Sequence, residues 1–279
     1  MNTAIIGTGL IGGSMGLALK AKAFASKVIG VEENAEHRTK ALQLHLVDEF
    51  MQLNEAIEAS DLIIVAVPVN AAEKMIHAIL DQVVDQVVID VGSTKAPICA
   101  EAAKSRNRGR FVATHPMWGT EFSGPQAAVT DAFTDKAVVI CNREDSDRDS
   151  LLLTEKLYHL LGMHLLYMEA SSHDLHAAYV SHIAHITSFA LANTVLEKER
   201  EDDAIFEMAS AGFESTVRLA KSNPAMWVPI FMQNRENVLD VLNEHISQLR
   251  KFKSCLEKEN YAYLTELIEN ANKIKRILK

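Results

Sequence analysis

The sequence predicts an α/β protein in which a doubly wound parallel sheet is followed by an all-helical C-terminal region. Three observations support this fold class. Short β-branched apolar runs alternate with helical stretches through the first half, a glycine-rich turn follows the first run, and strand signals cease after residue 168. Runs that are apolar on both faces and separated by helices indicate a buried parallel sheet.

Six apolar runs in the first half are predicted to be strands of this sheet. In chain order they are TAIIG (3–7), KVIGV (27–31), DLIIVAV (61–67), QVVIDV (86–91), FVAT (111–114) and AVVIC (137–141). A further apolar segment, MHLLYM (163–168), closes this half of the chain. We therefore expect an α/β domain over residues 1–168 and a helical domain over residues 169–279.

The second half shows helical periods and no convincing strand. Residues 173–199 are apolar nearly all round, which predicts a buried helix. A second long helix is predicted over residues 222–252, with Pro224 in its first turn and Pro229 placed where it would kink the helix. Its apolar side chains recur at three- and four-residue steps and form a stripe that packs within the chain or in a homodimer: Leu239, Leu242, Ile246, Leu249 and Phe252.

Composition and charge exclude several classes of protein. The net charge of −9 disfavours general binding to nucleic acid or to anionic membranes. The longest apolar run, residues 62–69, is too short to cross a bilayer. The three cysteines are far apart and have no paired spacing, which suits a reducing compartment. We therefore expect a cytoplasmic protein with neither nucleic acid nor membrane partners.

The segment GTGLIGG places Gly7, Gly9 and Gly12 in a G-x-G-x-x-G pattern between a strand and a helix. Leu10 and Ile11 lie between these glycines, where the helix opens. Such glycines permit a tight turn and let the backbone approach a pyrophosphate at the helix N-terminus. The context predicts a Rossmann-type dinucleotide site, the alternative being a glycine-rich turn without a ligand.

Two further positions extend the predicted nucleotide site. Glu32 ends the second strand, where a carboxylate accepts hydrogen bonds from both ribose hydroxyls and repels a 2′-phosphate. This position favours NAD over NADP as the cofactor. Pro68 ends another strand on the side of the crevice expected for the nicotinamide, although a purely structural strand end fits equally well.

Two chemically reactive side chains follow neighbouring strands of the predicted sheet. Ser93 lies in DVGSTK after one strand, and His115 follows the next strand, FVAT. The carboxyl ends of parallel strands face one crevice, so these side chains should lie close together. A hydroxyl beside an imidazole suits proton abstraction or orientation of a substrate alcohol. No third, acidic member is evident, so we disfavour Ser93 as an acylated nucleophile.

The helical half contributes three polar candidates. Ser181 and His185 are four residues apart and share a helix face, where they line a site or are satisfied within the core. The neighbouring histidines could suggest a metal, but their spacing does not favour one. Arg218 is a clamp for a substrate carboxylate or an ordinary surface residue.

Taken together, these motifs resemble the prephenate/arogenate dehydrogenase family of tyrosine biosynthesis. The resemblance covers essentially the whole chain and rests on five segments in the order of the family: GTGLIGGS, DVGSTK, HPMWGTEFSG, SHIAH and GFESTVRLAKSNPAMW. The HPMWGTE segment is highly specific. The resemblance implies an NAD-dependent enzyme that converts prephenate to 4-hydroxyphenylpyruvate with loss of carbon dioxide.

The resemblance also implies roles for individual residues. His115 would be the catalytic base, and Ser93 its hydrogen-bonding companion at the substrate hydroxyl. The substrate pocket would be formed by residues from both halves of the chain: Thr120, Glu121, Ser181, His185, Arg218 and Trp227. Within this set, Glu121 would gate the pocket, Arg218 would hold a carboxylate and Trp227 would close the site. The helical domain would bind substrate and form a homodimer.

The sequence departs from the family pattern at two places. Ala184 stands where the family often has proline, and Glu214 and Ser215 replace an Arg-Asp pair near Arg218. Three alternative functions remain open: arogenate dehydrogenase, another NAD dehydrogenase for small substrates such as a hydroxyacid or imine reductase, and a non-catalytic NAD-sensing module.

Overall fold

The computed structural model describes residues 1–199 and 205–277. Eight strands are formed: β1 (Asn2–Ile6), β2 (Lys27–Val31), β3 (Glu49–Phe50), β4 (Leu62–Val65), β5 (Val87–Asp90), β6 (Phe111–Pro116), β7 (Ala137–Cys141) and β8 (His164–Met168). They make one sheet in the order β3-β2-β1-β4-β5-β6-β7-β8. The order reverses between β1 and β4, which creates the crevice typical of doubly wound sheets.

The helices between the strands are α1 (Leu10–Ala21), α2 (Ala35–Gln43), α3 (Leu53–Glu58), α4 (Val69–Leu80), α5 (Ala96–Ala102) and α6 (Arg148–Leu160). After β8 the described chain is helical: α7 (Ala170–Ala177), α8 (Ile183–Glu199), α9 (Ala211–Val217), α10 (Pro224–Gln233), α11 (Arg235–Glu257) and α12 (Tyr261–Ala271). The predicted fold class is thus confirmed.

The core of the sheet lies on both of its faces. Along β4, Ile63 and Val65 pack into one apolar cluster and Leu62 and Ile64 into the other, and all four are buried. Alternate residues of a strand point to opposite faces, so a sheet covered by helices on both sides needs continuous apolar runs. Each such side chain stabilises the fold by about 1.5–3 kcal/mol relative to an exposed position.

The sheet is not wholly parallel, which corrects the sequence-based prediction. β1 to β6 are parallel, but β7 pairs with β6 in the antiparallel direction and β8 is parallel to β7. The antiparallel pairing extends β6 beyond its predicted end at Thr114, since His115 pairs with Val139 and Pro116 with Val138. His115 therefore lies within a strand and not in a loop.

The helix predicted over residues 173–199 is divided by a π-helical turn over Ala178–His182, between α7 and α8. Its predicted burial is wrong for α8, in which Ser188 alone is buried. The second predicted helix breaks at Asn234, between α10 and α11, while Pro229 lies inside α10 without ending it. Among the described residues, no helix is long and apolar enough to cross a membrane.

Two leucines of the stripe predicted on the second helix do not face the core of the chain. On α11 the buried side chains are Val238, Val241 and Cys255. Leu239 and Leu249 of the stripe are instead 45% and 55% exposed. The stripe was predicted to pack either within the chain or in a homodimer. For these two leucines, packing within the chain is not observed.

Candidate active site

The glycine turn between β1 and α1 forms a cradle in which two of the three motif positions require glycine. Gly7 has φ of +93°, and a Cβ on Gly12 would lie 2.0 Å from the Gly7 carbonyl oxygen. At Gly9, by contrast, a Cβ would meet nothing within 4 Å, so space is open directly before α1. Gly9 is the N-cap of α1 and provides no side-chain cap. The N–H groups that start α1 are thus available to an anionic group.

Glu32 lies beside this cradle, directly after β2. Its Oε2 accepts hydrogen bonds from the backbone N–H and the hydroxyl of Thr8, at 3.2 and 3.3 Å. Pro68 is the N-cap of α4, directly across the strand-order reversal from the glycine turn. A tight glycine turn, an open helix N-terminus and an adjacent carboxylate together fit a dinucleotide without a 2′-phosphate.

The loop after β5 is anchored by a buried ion pair. Lys95 is fully buried, and its Nζ donates to the Asp90 carboxylate and, at 2.7 Å, to the Thr114 carbonyl oxygen. The same Asp90 carboxylate accepts from the Gly92 N–H at 3.0 Å. This network ties the loop that carries Ser93 to the strand that carries His115. The Ser93 hydroxyl makes no hydrogen bond within the part of the chain that the structure describes.

His115 is half-buried on β6 and contacts a second histidine from the helical half. Its Nδ1 lies 2.8 Å from Nε2 of His173, whose Nδ1 lies 2.8 Å from Oδ1 of Asp174. An acidic group is therefore connected to His115, which corrects the expectation that none was available. His173 and Asp174 escaped sequence reasoning because they follow His115 by more than fifty residues, and only tertiary packing brings them to the strand.

The environment of His115 disfavours its protonated form. Burial is the largest cause that lowers its pKa, and electrostatic interactions with His173, Lys95 and His182 lower this pKa further. The pKa of His115 is thus well below the usual value for histidine. The imidazole is neutral at pH 7 and able to accept a proton.

A second cluster surrounds Trp227, which is buried. His185 stacks on the indole with ring centroids 3.4 Å apart, and its Nδ1 donates to the Ser181 carbonyl oxygen at 3.1 Å. Burial lowers the pKa of His185, so the ring is neutral and presents Nε2 as an acceptor. The Trp227 indole N–H is buried without a hydrogen-bond partner in the described structure, as a donor awaiting a ligand would be.

Glu121 and Arg218 form an ion pair across the two halves of the chain. Arg218 Nη1 donates to Glu121 Oε2 at 2.7 Å. The pKa of Glu121 is lowered, chiefly by a hydrogen bond with its own backbone and then by Arg218. The Thr120 hydroxyl accepts from the Phe122 N–H at 3.2 Å, which shapes the loop that presents Glu121. A cavity of about 570 Å³ lies beside Glu121 and is also lined by Lys221.

The predicted site residues thus lie in four groups, one of which is the ion pair of Glu121 and Arg218. The cradle around the glycines is at β1, His115 lies on β6 three strands away, and the cluster of His185 and Trp227 comes from the helical half. Strands are spaced by roughly 4.8 Å, so β1 and β6 are about 14 Å apart, a span suited to an extended dinucleotide. No group of three potential metal ligands occurs among the described residues.

A nucleotide cradle and a neutral histidine along one edge of a doubly wound sheet define an NAD-dependent dehydrogenase. Residues 15–167 match the family model for the nucleotide-binding domain of prephenate dehydrogenase, and residues 169–270 match that for its dimerization domain. The chain therefore belongs to the prephenate dehydrogenase family, as its sequence motifs predicted.

Individual relatives agree with this assignment. The chain is 27% identical to a prephenate dehydrogenase of Bacillus subtilis, over 96% of this chain and 73% of that one. It is 28% identical to a cyclohexadienyl dehydrogenase of Zymomonas mobilis, over 99% and 95%. The crystal structure of the Aquifex aeolicus prephenate dehydrogenase in complex with hydroxyphenyl propionate and NAD⁺ superposes with a TM-score of 0.89, at 29% identity, over 99% and 97% of the two chains.

Proposed function

We propose that this protein catalyses the NAD-dependent oxidative decarboxylation of prephenate to 4-hydroxyphenylpyruvate, with His115 as the general base. The observation that carries the proposal is a neutral, half-buried imidazole on β6, at the same sheet edge as the glycine cradle. The names of the relatives and the NAD⁺ complex of the Aquifex aeolicus enzyme support the same reaction.

NAD would be held by Gly7, Gly9 and Gly12, by the first turn of α1 with Leu10 and Ile11, and by Glu32 and Pro68. The open N-terminus of α1 would bind the pyrophosphate, and the Glu32 carboxylate would accept hydrogen bonds from the ribose hydroxyls. Bound NAD would supply the acceptor for the hydride from C4 of the substrate. Every other step that we assign uses side chains of this chain.

His115 accepts the proton of the 4-hydroxyl as the hydride leaves C4, and Ser93 orients that hydroxyl by a hydrogen bond. The ring carboxylate then departs as carbon dioxide, and its bonding electrons complete the aromatic ring. The phenolic oxygen takes the proton back from His115, so that no net proton is released. Positioned general-base catalysis of this kind contributes roughly 10²–10⁴-fold to a rate.

The substrate would be held between the two halves of the chain. Arg218 would bind a carboxylate, and Glu121 with Thr120 would gate the entrance by exchanging Arg218 between Glu121 and the substrate. Ser181, His185 and Trp227 would line the pocket from the helical side. The buried, unpaired indole N–H of Trp227 supports this assignment, since such a donor gains a partner when a ligand binds.

The helical half would also form a homodimer. The exposed leucines of α11, Leu239 and Leu249, support a partner surface on this helix, as does the match to a dimerization domain. We place the boundary between the two domains at residues 168 and 169. A cytoplasmic location is supported by three cysteines that are all free and buried.

The experiment that tests the reaction mixes the purified protein with substrate and cofactor and follows the absorbance of reduced nicotinamide. We expect turnover with prephenate and NAD. Turnover should be slower when NADP replaces NAD, and slower when arogenate replaces prephenate. Faster turnover of arogenate would transfer the assignment to arogenate dehydrogenase. NAD binding without turnover of either substrate would contradict the enzymatic assignment and favour an NAD sensor.

A further inference from the structure

We propose that His173 and Asp174 are positioning residues that hold His115 in the tautomer with its lone pair on Nε2. This inference rests on the proposed role of His115 as the base. It adds two residues from the helical half to the machinery of the reaction and explains how one of two equivalent tautomers is selected.

The first step concerns Asp174, which is 3% exposed. Its Oδ1 accepts from the Lys95 N–H at 2.7 Å, and its Oδ2 accepts from the Ala96 N–H at 2.9 Å. Both oxygens therefore act as acceptors at the start of α5, where a negative charge is favoured. An ionised carboxylate can only accept hydrogen bonds, so the contact between Oδ1 and His173 Nδ1 requires that the histidine donate.

The second step follows the proton along the ring of His173, which is 2% exposed. A neutral imidazole that carries its proton on Nδ1 has a lone pair on Nε2. Nε2 of His173 therefore accepts from His115, whose Nδ1 lies 2.8 Å away. His115 in turn carries its proton on Nδ1, and its Nε2 is left with a lone pair.

The third step concerns the free nitrogen. Nε2 of His115 has no hydrogen-bond partner within the described part of the chain. A base must present a lone pair to the proton that it accepts, and the other tautomer would present an N–H instead. The hydrogen bonds from Asp174 through His173 thus leave a lone pair on Nε2 of His115 before substrate binds.

The series of hydrogen bonds from Asp174 through His173 to His115 also crosses the boundary between the two halves of the protein. His173 and Asp174 lie on α7, whereas His115 lies on β6 and Lys95 precedes α5. The α7 backbone is held by Asn234, whose Nδ2 donates to the Asp174 carbonyl oxygen at 2.6 Å. The tautomer of His115 therefore depends on correct docking of the helical half.

The opposite arrangement gives a clear contrast. If His173 carried a proton on both nitrogens, its Nε2 would donate to Nδ1 of His115, and Nε2 of His115 would then be protonated. The groups that face His115 include Lys95 from the loop before α5 and His182 from the π-helical turn, and the positive charge of Lys95 opposes a further cation beside His115. The Asp174 carboxylate, which contacts His173, favours such a cation, and the tautomer is therefore tested by measurement.

The direct test is ¹⁵N NMR of the protein labelled at its 11 histidines, at pH 7 and without ligands. The spectrum of a His115→Gln variant identifies the resonances of His115. We expect an unprotonated Nε2 and a protonated Nδ1 for His115 in the wild-type protein. A protonated Nε2 on His115 would overturn the proposal, and this measurement does not depend on the identity of the substrate.

Kinetic variants test whether the tautomer matters for turnover. His173→Phe keeps an aromatic ring but removes both nitrogens, and Asp174→Asn replaces the acceptor by an amide. For each we expect kcat for prephenate to fall at least tenfold, and by no more than the roughly 10²–10⁴-fold that general-base catalysis contributes. KM for prephenate and the Kd of NAD should stay within about threefold of the wild-type values. An unfolded or misdocked variant would instead change these constants as well.

The matched control is His176→Gln, which changes an exposed histidine on the same helix and should leave kcat unchanged. Wild-type kcat in the folded His173→Phe variant would overturn the proposal. A failure of the proposed function would give a different result, namely wild-type turnover in a variant that lacks His115 itself.

Discussion

The guanidinium of Arg218 donates to the carboxylate of Glu121 at 2.7 Å and so joins the loop after β6 to the helical half. Arg218 is 50% exposed, whereas the Glu121 side chain is only 14% exposed. The less exposed carboxylate thus holds the more exposed guanidinium in an ion pair. A substrate carboxylate that binds Arg218 would have to compete with this internal partner.

Arg218→Ala should raise KM for prephenate with a smaller effect on kcat. A hydrogen bond to a charged group contributes about 1.5–3 kcal/mol, which corresponds to a roughly 10- to 150-fold rise in KM. Steady-state kinetics at saturating NAD measure this change. Arg235→Ala is a suitable control, because Arg235 pairs with the adjacent Glu236 on the protein surface. An unchanged KM in Arg218→Ala would remove the clamp from the proposed mechanism.

His115→Asn should lower kcat by roughly 10²–10⁴-fold, since it removes the proton acceptor. The Kd of NAD, measured by fluorescence titration, should stay near the wild-type value because the glycine cradle is untouched. Turnover close to that of the wild type would show that another group takes the hydroxyl proton.

Lys95→Met should destabilise the fold, although Lys95 is not assigned to substrate or cofactor. The substitution leaves the buried Asp90 carboxylate without its cation, and breaking a buried pair in this way costs about 3–5 kcal/mol. Urea unfolding measures the change in free energy. Lys20→Met breaks an exposed pair with Asp48 and should cost at most about 1 kcal/mol. Equal effects of the two substitutions would contradict the importance of the buried pair.

The stability of the protein should fall between pH 7 and pH 5. Burial lowers the pKa of His182 to about 4, whereas an unfolded histidine has a pKa of about 6.5. The unfolded chain therefore binds a proton more readily, and the stability contributed by His182 is present above pH 6.5 and lost as the pH falls towards 4.

At about 1.4 kcal/mol per pKa unit, the loss due to His182 at pH 5 is on the order of 2 kcal/mol. The lowered pKa values of His115 and His185 act in the same direction. Urea unfolding at both pH values should show a steeper loss in the wild-type protein than in His182→Phe. Equal pH dependence in the two proteins would contradict this reading of His182.

The sequence predicted those features that are local in the chain. The glycine cradle and Glu32 follow from spacing within one strand-turn-helix-strand unit, and the apolar strands follow from their burial on both faces. The direction of β7 could not be predicted, because antiparallel and parallel strands in a covered sheet have the same apolar pattern. The length of β6 was missed for the same reason, since its last two residues pair only with β7.

The buried polar contacts of Lys95 and His173 could not be predicted from the sequence. In the sequence, Lys95 is only the last residue of the segment DVGSTK that follows a strand, yet its side chain is fully buried against Asp90. The sequence places His173 only among several neighbouring histidines of the helical half, yet this residue contacts His115. Both contacts depend on how the chain packs in three dimensions, and no periodicity in the sequence encodes them.

The π-helical turn at Ala178–His182 sets the rotation between two parts of one long helical segment. His173 lies before this turn and His185 after it, and one residue of an α-helix corresponds to about 100° of rotation. Removal of a single residue that restored regular α-helix here would turn the downstream half by about that angle, and His185 would leave Trp227 while His173 stayed in place. The π-helical turn therefore sets which side of α8 faces Trp227. A deletion within this turn should be tolerated far less well than a deletion later in α8, which is exposed and regularly helical.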